Sequence, residues 1–169
     1  IIAYNGALIQ AQDGTVVDSK IMAMPEVLSV CHTIEKLGQD LAWNIYSYKA
    51  WYSSQQAHNL VHNEEVVVGL KSQIADLDQL ASLKEAHKVL VMCTPERTEQ
   101  VLQALKEDYP DLSIAKSLPH LIEVMATGID KGQAVKALAD YYYVPISETM
   151  AFGDNYNDLE MLETVGQGI

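Results

Sequence analysis

The chain has 169 residues, of which 49% are hydrophobic and 20% are charged. This length and balance are typical of a globular protein with one domain or two small lobes, and they exclude disorder and a coiled coil. Lys and Arg number 11 and Asp and Glu number 23, so the net charge is −12. Such a negative field excludes nucleic acid and membrane surfaces as expected partners, whereas a local cation can still attract a small phosphorylated molecule.

No apolar run approaches the roughly 18 residues of a membrane span, and no basic start precedes an apolar stretch as in a signal peptide. We therefore expect a cytoplasmic protein. Cys31 and Cys93 lie far apart and lack metal-ligand spacing, which predicts free thiols rather than a disulfide. Residues 1–4 and 166–169 both resemble buried strand segments, so both ends of the chain are expected to lie inside a larger fold.

The first two thirds of the chain predict an α/β lobe. Asp13-Gly14 favours the tight turn of a hairpin, and apolar residues between Pro25 and Gly38 recur at helical spacing. The other predicted helices cover residues 55–62, 76–85 and the stretch from Pro95 to Pro110. The predicted strands are residues 1–4, 7–9, 15–17, 41–48, 50–53, 66–68, 89–93, 112–115 and 121–125.

The last third follows the order strand, acidic loop, helix, which is typical of a parallel α/β sheet. Asp130 is predicted to cap a helix, with Gln133 completing a capping box. Residues 150–152 form a short predicted strand, and the polar turn 153–158 leads into the last helix. Ligands of such sheets bind at the carboxyl ends of the strands, which is where this turn falls.

The turn carries three oxygen-bearing side chains, Asp154, Asn157 and Asp158. If the chain is becoming helical there, all three point to one side. Mg²⁺ suits such a set, because it binds through one or two carboxylates and takes water and phosphate oxygens at its other positions. The alternative is a solvated turn whose side chains cap the helix.

A second chemical signal is Lys131, in the first turn of the helix that Asp130 opens. A lysine is electrostatically misplaced there, since the helix dipole already favours anions. Beside a phosphoryl group, its ammonium would neutralise charge on the transferring oxygens. The alternative is an ordinary surface lysine.

Three segments, residues 4–9, 128–132 and 151–162, resemble the Cof-like phosphatases of the haloacid dehalogenase superfamily in residue types, order and spacing. The resemblance extends over essentially the whole chain. It implies an α/β fold, with a partial haloacid dehalogenase-like Rossmannoid core interrupted by a large inserted α/β cap. Residues 1–19 and 125–169 would form the core, and residues 20–124 the cap.

The resemblance also implies roles for individual residues. Asp154 would bind Mg²⁺ directly and Asp158 would support that site. Lys131 would pair with the phosphoryl oxygens, and Asn157 would contact the phosphoryl group or the nucleophile. Asn5 falls at a substrate-binding position near the cap hinge, while its neighbour Gly6 serves backbone geometry.

Two parts of the family pattern are missing from these 169 residues. They are the DxDGT segment with the Thr or Ser phosphate-binding loop that follows it, and the end of the core sheet. Such enzymes carry a DxDGT segment, whose first Asp attacks phosphorus. Asp13-Gly14-Thr15 lacks it, because Ala11 occupies the position of that first Asp. The expected function is Mg²⁺-dependent hydrolysis of small phosphate monoesters, such as sugar phosphates, through an aspartyl-phosphate whose Asp is absent from this chain. The alternative is a non-catalytic binding or regulatory domain.

Two further features allow a functional and a structural interpretation. His58 and His62 lie four residues apart on a predicted helix, but the sequence offers no third ligand, so a solvated polar face is predicted. Aromatic residues alternate along the stretch 43–52. Half of them are expected to fill the core of the cap, and the others could stack on a sugar.

Overall fold

A computed structural model of the protein describes residues 1–154 and 158–169. The described residues form two compact units. The first unit comprises residues 1–20 and 128–169, and the second unit comprises residues 21–127.

The unit boundaries lie after Lys20 and Thr127, whereas the sequence predicted them after Ser19 and Val124. The later second boundary follows from the sheet of the second unit, whose strand continues through Ala126. That the second unit acts as a cap stays a prediction.

Strands and helices are interspersed in both units, which confirms the predicted α/β class. The strands are β1 (Ile2–Ala3), β2 (Leu8–Gln10), β3 (Val16–Ser19), β4 (Met22–Ala23), β5 (Ala42–Ser47), β6 (Ala50–Ser53), β7 (Gln73–Ile74), β8 (Glu85–Ala86), β9 (Lys88–Met92), β10 (Leu112–Leu118), β11 (Leu121–Ala126), β12 (Met150–Ala151) and β13 (Gln167–Gly168). The α-helices are α1 (Met24–Leu37), α2 (His58–Val68), α3 (Leu77–Leu80), α4 (Thr98–Asp108), α5 (Lys131–Tyr141) and α6 (Leu159–Thr164), and 3-10 turns lie at Tyr4–Gly6 and Ile146–Glu148.

The first unit contains an antiparallel sheet, β1-β2-β3, and a parallel pair, β12-β13. The predicted hairpin turn joins β2 to β3, where the Asp13 carboxylate accepts a hydrogen bond from the Thr15 N–H at 2.9 Å. Strand β12, helix α6 and strand β13 form the predicted parallel order. The loop that carries Asp154 therefore follows the carboxyl end of a strand that has a parallel neighbour.

The second unit is built on a six-stranded sheet of order β10-β11-β9-β5-β6-β7, antiparallel except for the pair β6-β7. Alternation along β5 sends Trp43 and Ile45 into the main core, where α1 and α4 also contribute buried side chains. Ala42 belongs to a smaller cluster, to which α2 contributes Val61. The helices therefore supply apolar residues to both clusters of the sheet.

The two cysteines are free thiols, as their spacing in the sequence predicted. Cys31 in α1 and Cys93, directly after β9, are both buried and free. They belong to the main core cluster of the second unit. Each thiol therefore serves as a small apolar side chain in this packing.

The predicted bounds of two helices in the middle of the chain are wrong. Val66 to Val68 were predicted as a strand, yet they form the last turn of α2, which ends at Gly69 in the left-handed conformation. Val61 anchors this helix in the core, and the Glu65 carboxylate accepts hydrogen bonds from Lys71 Nζ and from the N–H and hydroxyl of Ser72. These tertiary contacts override the strand preference of three consecutive valines.

The predicted helix 76–85 is reduced to the single turn α3. Asp76 and Gln79 close this turn with reciprocal side-chain hydrogen bonds. The chain then straightens, and Glu85–Ala86 pairs with β4 as strand β8. In the part of the chain that the structure describes, no helix is both long and apolar enough to span a bilayer.

Candidate active site

Segments from three parts of the chain line one cavity in the first unit. Its volume is about 380 Å³. The wall is formed by Ile2, Tyr4, Asn5, Lys131, Val135, Asp158 and Met161. The fold therefore brings together three of the residues singled out from the sequence, Asn5, Lys131 and Asp158.

A close ion pair lies in this cavity. Lys131 Nζ donates to Asp158 Oδ1 at 2.6 Å, and the two side chains are 23% and 11% exposed. Lys131 is the first residue of α5, and Asp158 immediately precedes α6. The carboxylate explains how a lysine is tolerated at the positive end of a helix, because its negative charge offsets the ammonium and the helix dipole together.

The start of α5 is fixed by its predicted cap. The Asp130 carboxylate accepts hydrogen bonds from the Gly132 N–H at 2.6 Å and the Gln133 N–H at 3.3 Å. The cap holds the first turn, and with it the backbone that carries Lys131. An ammonium group next to a helix N-terminus is an arrangement that can bind a phosphoryl group.

Gly132 is required by the close packing of α5 on α6. A methyl group at this position would lie 2.6 Å from both the Glu160 carbonyl oxygen and Thr164 Oγ1. These distances are shorter than any normal contact of a methyl carbon. In the Lys131-Gly132 pair, the lysine thus supplies a charged group to the cavity, and the glycine is the only residue small enough to pack against α6.

We expect Gly132→Ala to lower the free energy of unfolding by about 1–3 kcal/mol, the range for overpacked sites. The added methyl group forces α5 away from α6, which outweighs the better helix propensity of alanine. Gln133→Ala, at the exposed neighbouring position, is the matched control and should change stability by about 0.5 kcal/mol or less. Chemical denaturation of both variants measures the difference. Equal stabilities would show that the two helices can separate without loss.

The turn that presents Asn5 has an unusual backbone. Tyr4, Asn5 and Gly6 have positive φ angles of 53°, 56° and 105°. Asn tolerates the left-handed region, whereas Tyr adopts it rarely. Gly6 confirms its predicted role in backbone geometry, and a methyl group there would lie 3.0 Å from the Asp130 carbonyl oxygen. The turn is therefore packed against the start of α5 and holds Asn5 beside the cavity.

Tyr4 is a cavity residue to which sequence reasoning assigned no role. Partial burial raises the pKa of its phenol above the ordinary value, and a phenol hydroxyl can both donate and accept a hydrogen bond. In the sequence, only its position next to Asn5 indicated that Tyr4 could lie at the site. Val135 follows Lys131 by four residues and so shares its helix face, while Ile2 and Met161 gave no signal beyond being apolar.

Asp154 and Asp158 flank the loop predicted to bind metal. Asp154 is exposed, and Asp158 is buried. A methyl group on Gly153 would lie 2.5 Å from Asp158 Cβ, so the start of the loop packs directly on the Asp158 side chain. Asn157 lies outside the described residues, and its contact with a phosphoryl group stays a prediction.

The donor set fits Mg²⁺ better than a metal enclosed by protein ligands. Within residues 1–154 and 158–169, no three His, Cys, Asp or Glu side chains form a cluster that could hold a metal. Zinc sites need three or four such ligands. Mg²⁺ needs only one or two carboxylates, because waters and phosphate oxygens complete its shell. Asp158 lines the cavity, with one oxygen accepting from Lys131, whereas Asp154 is exposed and is not among the described lining residues. That the two carboxylates together hold Mg²⁺ stays a prediction.

The histidine pair of α2 belongs to the second unit. His62 Nδ1 lies 3.5 Å from the Glu65 carboxylate, and the His62 side chain is 57% exposed. His58 Nδ1 is buried and has no hydrogen-bond partner among the residues that the structure describes. The His62 imidazole thus lies beside the buried Glu65 carboxylate, and the described residues around the two histidines offer no metal cluster.

Comparison with known proteins identifies the class to which this fold and cavity belong. A family model described as haloacid dehalogenase-like hydrolase matches residues 1–169. The chain therefore belongs to the haloacid dehalogenase-like hydrolases, and the predicted resemblance to their Cof-like phosphatases is confirmed.

Individual relatives agree with this assignment. A Haemophilus influenzae protein named as a candidate phosphatase is 33% identical over all of this chain and 63% of its own length. The HMP-PP phosphatase of Citrobacter koseri is 26% identical over all of this chain and 61% of its own. A crystal structure from Thermotoga maritima matches with a TM-score of 0.83 and 27% identity, over 98% of this chain and 61% of that one. The chain thus spans slightly less than two thirds of the curated relatives it matches.

Proposed function

We propose that the full-length protein is a Mg²⁺-dependent phosphatase that hydrolyses small phosphate monoesters through an aspartyl-phosphate. The observation that carries this proposal is the Lys131–Asp158 ion pair at the N-terminus of α5, in a cavity that Asn5 also lines. Membership of the haloacid dehalogenase-like hydrolases supports the same reaction class.

Each candidate residue predicted from the sequence has a defined task in this proposal. Lys131 binds the phosphoryl oxygens and neutralises the charge that develops on them. Asp158 holds the ammonium of Lys131 in place through the 2.6 Å hydrogen bond. Asn5 and Asn157 bind the phosphoryl group or the adjacent part of the substrate. Asp154 and Asp158 would hold Mg²⁺, which would neutralise phosphate charge when bound.

In the proposed reaction, an Asp outside residues 1–169 attacks phosphorus and the P–O bond to the organic group breaks. The departing alkoxide takes up a proton and leaves as an alcohol. Water then attacks the aspartyl-phosphate, releasing inorganic phosphate and restoring the carboxylate. The second unit would act as the cap, which excludes bulk water while the aspartyl-phosphate forms and selects the organic group.

Expression of the complete reading frame tests the proposal. We expect it to hydrolyse p-nitrophenyl phosphate with Mg²⁺, to lose activity with EDTA and to recover it when Mg²⁺ is added in excess. Residues 1–169 alone should show no turnover, because loss of a covalent nucleophile removes the reaction pathway. Circular dichroism of the short chain checks that it is folded.

Two results would contradict parts of the proposal. EDTA-sensitive turnover by residues 1–169 alone would place the nucleophile within these residues. A folded full-length protein that binds phosphate and Mg²⁺ without turnover would instead support the alternative of a non-catalytic binding or regulatory domain.

A further inference from the structure

Three consecutive tyrosines at the end of α5 form an exposed aromatic surface on the first unit. Tyr141 is the last residue of the helix, and Tyr142 and Tyr143 follow it directly. The three residues are 40%, 46% and 94% exposed, although aromatic side chains contribute most to stability when they are buried. The described lining of the candidate cavity includes none of them. We call these three residues the tyrosine patch.

Tyr143 occupies a backbone position that favours glycine. Its φ angle is 55°, in the left-handed region. The Val144 N–H donates to the Ala139 carbonyl oxygen at 2.9 Å, and the Tyr143 N–H donates to the Asp140 carbonyl oxygen at 3.1 Å. These two hydrogen bonds define the Schellman motif, whose left-handed residue is usually glycine. The Cβ atom of a tyrosine makes this conformation strained, so glycine would suit the end of the helix better.

The stability of the fold does not account for a tyrosine at this position. Because Tyr143 is 94% exposed, its ring removes little apolar area from water and cannot offset the backbone strain. Strained residues are found preferentially at sites that bind ligands or act in catalysis. The exposed ring of Tyr143 is therefore better explained by contact with another molecule.

The other two rings of the tyrosine patch are held in place by the first unit. The Tyr142 hydroxyl accepts a hydrogen bond from the Gln12 N–H at 2.8 Å, in the hairpin turn between β2 and β3. The Tyr141 and Tyr142 rings meet edge-on, with their centres 5.1 Å apart. Rings that are ordered before binding lose less entropy when a partner arrives. The patch is thus a prepared surface and not a set of independent side chains.

The charge of the first unit indicates the kind of partner. Residues 1–20 and 128–169 contain three lysines, no arginine or histidine, and nine Asp and Glu residues, which gives a net charge of −6. No basic residue lies between Ala137 and Ile169. A second copy of this chain would bring the same negative charge to the patch and be repelled. A positively charged partner would be attracted, and guanidinium groups also stack on tyrosine rings.

We infer that the tyrosine patch binds an arginine-rich segment of a partner protein. The open ring of Tyr143 takes one guanidinium group, and the half-exposed ring of Tyr141 takes another. The acidic residues of the unit attract the remaining positive charge of the segment. This interaction is separate from the phosphoryl chemistry proposed for the cavity, because it uses none of the cavity residues.

Binding of a fluorescein-labelled octa-arginine peptide to the full-length protein tests the inference. The titration is done at about 0.15 M salt, where long-range attraction between exposed charges is screened. Tyr143→Gly should raise the Kd about two- to fivefold, the effect of losing one exposed cation–π contact. Tyr143→Phe keeps the ring and should stay within about twofold of wild type. Asp108→Asn, which removes one exposed charge from the second unit, should also stay within about twofold.

The glycine variant should unfold at a higher temperature than wild type, since it relieves the backbone strain. Tyr143→Asn, which also tolerates the left-handed region, should weaken binding equally and guards against an effect peculiar to glycine. Equal Kd values for wild type and both variants would overturn the inference, because binding would then follow net charge alone.

Two further results would also overturn the inference while leaving the proposed phosphatase function intact. If tetranitromethane fails to nitrate Tyr143 in the folded full-length protein, then the ring is not accessible to a partner. If the protein self-associates in analytical ultracentrifugation and Tyr143→Gly abolishes that association, then the patch binds a second copy of this chain. We expect instead that Tyr143 is nitrated and that bound octa-arginine protects it.

Discussion

Replacing Lys131 by methionine in the full-length enzyme should lower kcat/KM for phosphate esters by about 10²–10³-fold, as loss of a charge-stabilising contact does at other enzyme sites. Methionine keeps the length of the side chain and removes the ammonium that Asp158 holds at 2.6 Å. Because the charge on the phosphoryl oxygens grows towards the transition state, kcat should fall more than KM rises. Steady-state kinetics with p-nitrophenyl phosphate measures both constants.

The matched control is Lys136→Met, an exposed lysine on the same helix, which should keep activity within about twofold because it is a solvated surface charge. Activity of Lys131→Met within a few-fold of wild type would contradict the assigned role. Thermal unfolding must accompany the assay, since the substitution removes the Lys131 ammonium from the buried Asp158 carboxylate.

A double-mutant cycle separates the two tasks proposed for Asp158. If this residue only positions Lys131, then Lys131→Met/Asp158→Asn should be no less active than Lys131→Met alone, because the two residues act as one unit. If Asp158 also supports the metal, the double variant should lose further activity and need more Mg²⁺ for half-maximal rate. Titration with Mg²⁺ distinguishes the two results.

Much of the local structure was predictable because short-range signals coincide with the fold. Asp13-Gly14 marks the hairpin between β2 and β3, and Pro25 and Gly38 mark the two ends of α1. Asp130 caps α5 as its sequence pattern indicates. In each case the residue types that set the turn or the cap lie within a few positions of it, so no distant contact is needed to read them.

The errors occur where distant contacts decide the structure. Val66 to Val68 carry a strong local preference for a strand, but Val61 packs α2 against the smaller apolar cluster of the sheet, and Glu65 accepts a hydrogen bond from the Ser72 N–H just beyond the helix, so the helix extends through the valines. The sequence of this stretch has no hydrophobic periodicity that would predict those contacts. Local preference is a weak guide whenever a segment is held by residues outside it.

At the candidate site, too, some features were predictable from the sequence and others depend on how the elements pack. Motif resemblance singled out Asn5, Lys131 and Asp158, and the fold places all three around one cavity. It did not foresee that Lys131 and Asp158 bind each other, or that Tyr4 joins them. The ion pair depends on where α5 and α6 meet, which the close contact at Gly132 allows, and the position of Tyr4 depends on the turn whose Gly6 packs against the start of α5.

Replacing Asp154 by asparagine should reduce the Mg²⁺-dependent activity of the full-length enzyme by about 10³-fold or more, the scale expected when several kcal/mol of charge stabilisation by a metal are lost. Asparagine keeps the size of the side chain but is neutral, and Mg²⁺ strongly prefers a carboxylate oxygen. Asp154 is exposed, so its replacement should leave the fold unchanged. Activity measured across a Mg²⁺ titration should show a lower maximum and a higher half-saturating concentration.

Asp140→Asn provides the control, because Asp140 is an exposed carboxylate on α5 outside the cavity lining. It removes the same charge from the same unit, so it accounts for any general effect of net charge on cation binding. We expect its Mg²⁺ titration to match wild type. If Asp154→Asn also matches wild type, then Asp154 is not a metal ligand.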